Sequence, residues 1–122
     1  MSVINDSDFR SKLAAGTIGQ FLFAVLGSGD TLTVPSAITH YPYGVSQQSV
    51  VSGEVCCVAA EGETKITAHE ALAVGNIVGT STLGKAQKLA STMFPRGRVV
   101  QACGSANDIA VIQLFNSAIA KA

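Results

Sequence analysis

Short β-type runs separated by glycine turns at close, even intervals constrain this chain more than anything else in it. Between Gly44 and Lys88 the sequence reads Gly44-Val45-Ser46, Gly53-Glu54-Val55-Cys56-Cys57-Val58-Ala59, Glu61-Gly62-Glu63-Thr64-Lys65-Ile66, Ala71-Leu72-Ala73-Val74-Gly75-Asn76-Ile77-Val78 and Thr82-Leu83-Gly84-Lys85-Ala86. Runs this short cannot be helices of ordinary length. Val, Ile and Thr favour a pleated surface, and the glycines supply turns. The pattern predicts a mainly β fold, a small β-barrel or sandwich of the β-tulip or β-clip kind.

At 122 residues the chain has the length of one domain. The reading divides it into a short N-terminal helix or arm, residues 1–16, and a single β domain, residues 17–122. Asn5, Asp6 or Ser7 can cap a helix over Asn5–Gly16, and Phe9 and Leu13 lie at i, i+4 on one face. So short a helix is marginal alone. Phe9 and Leu13 must therefore dock, either on their own subunit or on a neighbour.

Along the body, Gln20–Leu26 and Ile109–Phe115 read as strands apolar on both faces, hence covered on both. Thr31–Val34 returns from a turn at Gly27–Asp30. Val45–Val51, Glu54–Ala60 and Glu63–Thr67 read as three strands with turns at Ser52-Gly53 and Glu61-Gly62. Ala68–Val74 allows a single helical turn. Ile77–Ser81 and Lys85–Leu89 form a hairpin around Thr82-Leu83-Gly84, and Arg98–Cys103 is a further strand.

Acidic and basic residues balance, so the formal net charge is zero. That argues against a nucleic-acid binder, which carries a basic excess. Charged residues are 13% of the chain, about half the usual share. A surface so poor in charge is best explained by cover from other subunits. No apolar run approaches a membrane span. The start of the sequence has neither the basic nor the apolar region of a secretory signal. Cys56, Cys57 and Cys103 then read as reduced, small buried hydrophobes in a reducing cytoplasm.

Catalytic and metal patterns are missing from the sequence. His69-Glu70-Ala71-Leu72-Ala73 opens like a zincin motif, but Ala73 stands where the second His is needed. Cys56 and Cys57 point to opposite faces of a strand and lack the spacer of a zinc or redox pair. No Gly-x-Ser-x-Gly elbow occurs. The expectation is no enzyme, no metal and no cofactor. His40, Tyr41 and Tyr43 are the one local concentration of aromatic and imidazole groups. They read first as a loop packed by tyrosines and second as a ligand site. Arg96 and Arg98 could hold a phosphate or a partner's carboxylate, although such a pair is more often a solvated strand start.

The order of motifs resembles the capsid decoration (cement) proteins of tailed bacteriophages. It is carried by Phe23-Ala24-Val25 with Gly29-Asp30, Tyr43-Gly44-Val45, Gly53–Val58, Thr64–Ala68, Leu72–Val78, Gly84-Lys85-Ala86, Gly97-Arg98-Val99 and Ile109–Leu114. Asn76 departs from the family's usual Asp, and the loop at Gly104–Asp108 has one glycine. The resemblance implies a structural virion protein, usually trimeric, made in the host cytoplasm. It would sit on the outer surface of the head and stabilise it by bridging major capsid protein subunits. Partner-binding candidates are Ile4, Phe9, Leu13, Arg96 and Arg98. The rival reading is a β-clip or SAF-like module for a small ligand or carbohydrate, with His40, Tyr41, Tyr43 and His69 as its contacts.

Overall fold

The computed structural model describes residues 8–115. Among them run nine strands: β1 (Asp8–Leu13), β2 (Phe23–Leu26), β3 (Leu32–Thr33), β4 (Gly44–Ser46), β5 (Val55–Thr67), β6 (Ile77–Thr80), β7 (Ala86–Lys88), β8 (Gly97–Gln101) and β9 (Ile109–Leu114). They pair in the order β3-β2-β4-β5-β9-β8-β6-β7, with β1 also on β5. The antiparallel sheet curls into a half-barrel, a small β-barrel fold as the glycine-punctuated pattern predicts.

β5 is the spine. Val58 and Ala59 pair with Ser46 and Val45 of β4 and also with Arg10 and Phe9 of β1. One residue can serve two ladders only through its two edges, so both edges of β5 are taken here. Beyond, Gly62 to Thr67 pair with Leu114 to Ile109 of β9. The turn expected at Glu61-Gly62 does not form. Gly62 takes φ +89°, which only glycine adopts without strain, and bends β5 while staying paired with Leu114. Two expected strands are thus one strand of 13 residues.

Residues 8–13 also differ from expectation: they form a strand, not a helix. A six-residue segment gains few helical bonds alone, whereas the open edge of β5 offers a full ladder. The i, i+4 spacing of Phe9 and Leu13 suits a strand equally, since both then share one face. Residues 5–7 lie outside the described residues. The single helical turn expected at Ala68–Val74 is absent as well. That segment runs irregularly, held by reciprocal backbone bonds of 3.1 and 3.0 Å between Leu72 and Cys103. Of the expected strand Val45–Val51, only Val45 and Ser46 lie in β4.

Two apolar clusters flank the sheet. Phe23, Val45, Ala59, Ile66, Val78, Val99 and Ile112 lead the larger. Ala14, Ile18, Ala24, Leu32, Val50, Cys56 and Val58 make the smaller. Phe23 and Ala24 are neighbours in sequence yet belong to different clusters, so β2 is covered on both faces as its composition implies. β9 buries one face, Ala110, Ile112 and Leu114, but leaves Ile109 exposed and Val111 half-buried on the other. The cover expected there does not come from the described residues.

Candidate functional site

The irregular segment between β3 and β4 places His40, Tyr41 and Tyr43 beside Val25, Leu26 and Thr33. Together they line a cavity of about 420 Å³. Both tyrosine rings make further contacts. Tyr41 meets Phe94 edge-on, with centroids 5.4 Å apart, and Arg96 Cζ lies 5.7 Å from its ring centre. Lys12 Nζ lies 5.6 Å from the centre of the Tyr43 ring. Lys12 is held there by Asp30 at 2.8 Å, and that hydrogen bond raises its pKa. His40 Nδ1 is sealed from solvent without a hydrogen-bond partner.

Arg96 corrects both readings made of it from sequence. It is neither a solvated strand start nor an exposed anchor: it is 3% exposed. Nε donates to the Pro42 carbonyl at 2.9 Å and Nη1 to Phe115 at 2.6 Å. Nη2 donates to Tyr43 at 3.0 Å and Ala60 at 2.6 Å. Burial pushes its pKa down. The guanidinium fork ties the aromatic loop, β5 and the end of β9 together with backbone acceptors alone. No charge-pattern rule finds such a residue from sequence. The one hint, legible only afterwards, is an arginine directly before a glycine that must pack closely: a Cβ on Gly97 would sit 3.0 Å from Ile112 Cδ1.

The other candidates scatter. Arg98 is exposed on β8, opposite Gln113 and Ile77. Leu13 is 50% exposed and sits across from Val55, itself 55% exposed. Phe9 takes the register position opposite Ala59. Ile4 lies outside the described residues. His69 is exposed just beyond the end of β5 and does not join the aromatic cavity.

The three cysteines are free. Cys56 is buried and Cys57 half-buried, on opposite faces as alternation requires. Burial first, then the neighbouring Cys57, raises the Cys56 pKa, which makes it a poor nucleophile. Cys103 Sγ donates to the Glu70 carbonyl at 3.7 Å. Among the described residues no group of three or more His, Cys, Asp or Glu is placed to hold a metal ion.

No family model matches the chain, and no curated protein matches it in sequence. Among solved structures it is similar to one described as the crystal structure of the head fiber gp8.5 N base in bacteriophage phi29. The TM-score is 0.71 at 15% identity, over 89% of this chain and 94% of that one. The likeness is one of fold. It spans nearly the whole of both chains.

Proposed function

We propose that the chain is a structural protein of a bacteriophage head. It decorates the outer surface of the head and bridges major capsid protein subunits, without catalysis, membrane or nucleic-acid contact. The observation that carries this reading is the near-full-length fold shared with the base of a phage head fiber. The ordered motifs from Phe23 to Leu114 point the same way, as does the low charge.

In this reading the capsid-facing surface includes the exposed pair Leu13 and Val55, with Ile4, Phe9 and Arg98 as further contacts. Arg96 is withdrawn from that set because its donors are used inside the chain. The protein acts as a homotrimer. The uncovered apolar face of β9, Ile109 and Val111, with Val100 of β8, is the surface offered to the other copies.

The test is cosedimentation with expanded heads of the phage that carries the gene, alongside sedimentation velocity of the free protein. Binding that raises the temperature at which heads burst is the expected result. Leu13→Asp should weaken binding while the fold survives, since Leu13 is already half in water. Failure of the wild-type protein to bind heads, together with a monomer under all conditions, would overturn the reading.

A further inference from the structure

The aromatic cavity is unused by attachment to a head. Its residues come from β2, β3 and the segment leading into β4, none of which carries the proposed capsid contacts. We propose that it binds a neutral saccharide unit.

The chemistry of the lining selects that class. Val25, Leu26, Thr33, His40, Tyr41 and Tyr43 bring mostly apolar surface and a small number of polar groups, in a volume suited to a small ligand. None is a carboxylate, lysine or arginine. Two cations lie against the tyrosine rings, and both are engaged: Lys12 is paired with Asp30, and Arg96 with four carbonyls. A phosphate or carboxylate would therefore meet no acidic or basic side chain other than His40 in the lining. A sugar ring needs no counter-charge. It lays its C–H face on an aromatic ring and keeps its outer hydroxyls in water, and this cavity is open on one side.

His40 separates a sugar from a purely apolar occupant. Its Nδ1 is buried with no partner. An apolar side chain filling the cavity would leave that nitrogen unpaired, whereas a hydroxyl can pair with it. Binding therefore requires the imidazole to turn about its broad χ2 and present Nδ1 to the cavity, a turn that breaks no bond at Nδ1. The tyrosines need not move, because Phe94, Arg96 and Lys12 already fix them. The site is thus preorganised on its aromatic side and adaptable at one polar group.

The experiment is a ¹H–¹⁵N titration of the full chain with glucose, N-acetylglucosamine and cellobiose at millimolar concentrations. At least one of them should shift the amides of residues 25–26, 33 and 40–43 saturably. His40→Ala should weaken that binding by up to about tenfold, the loss of one hydrogen bond. Its spectrum should otherwise stay unchanged, since no side-chain bond of His40 is lost. Tyr43→Ala should abolish the shifts; if that variant fails to fold, Thr33→Val reports on the same wall. The proposal is overturned if no saccharide moves these amides, or if His40→Ala binds as tightly as the parent. It is equally overturned if phenol shifts the cavity amides and no saccharide does, since that marks a pocket for an apolar side chain. Head binding is measured separately, so either result leaves the head-decoration reading to its own test.

Discussion

Arg96→Ala is expected to cost this protein a large part of its stability. The guanidinium satisfies carbonyls from Pro42, Tyr43, Ala60 and Phe115, three separated segments. Charge-assisted hydrogen bonds are each worth about 1.5–3 kcal/mol, so the gross loss exceeds 6 kcal/mol, roughly. Two effects offset it. Removing a buried cation recovers part of its desolvation cost. Water can also enter the adjoining cavity of about 200 Å³, lined by Arg10, Tyr41, Tyr43, Ala60, Glu61 and Arg96, and rehydrate some acceptors. A net loss of about 3–5 kcal/mol follows, the usual cost of removing one partner from a buried charged network. With a urea slope of about 1.5 kcal/mol/M, the unfolding midpoint should fall by roughly 2–3 M. Arg96→Lys should recover little, because one ammonium cannot reach acceptors spread around a planar fork. Amide exchange in the 34–43 segment should accelerate in both variants. A midpoint within about 0.3 M of the parent for Arg96→Ala, or full rescue by Lys, would refute the clamp.

Three further outcomes are expected. Gly44→Ala drives a Cβ to 2.6 Å from the Ala59 carbonyl oxygen, so β4 must separate from β5; thermal unfolding should show a loss of about 1–3 kcal/mol. Ser46→Ala removes a fully buried hydroxyl that donates to the Gly19 carbonyl and accepts from the Leu22 amide at 3.1 Å; urea unfolding should show about 1–3 kcal/mol lost. The raised pKa values of Cys56 and Lys12 favour the protonated forms in the folded state. Their contribution is complete below the unfolded pKa values and fades as pH rises through the folded ones, so stability should decline above about pH 9. Cys56→Ala should remove the thiol's share of that decline.

Composition and alternation alone determined a good deal. Glycine turns between runs of Val, Ile and Thr specify a β fold locally, because each run decides its own pleat and each glycine its own turn. The double-sided burial of β2, the opposed faces of Cys56 and Cys57, and the hairpin from β6 to β7 follow from the same period of two. Three features did not follow. Residues 8–13 carry a pattern that fits a helix or a strand equally, and only the open edge of β5 chose between them. Gly62 looks like any turn glycine until β9 arrives to keep the ladder running through the bend. Arg96 looks solvated until four carbonyls, from Pro42 to Phe115, converge on it. The aromatic cavity stands between these cases. Three of its residues fall within four positions, 40–43, but the walls from β2 and β3 and the unpaired imidazole nitrogen exist only once the chain is folded. Each such feature depends on partners far away along the chain. Local propensity carries no information about those partners, so tertiary structure alone decided them.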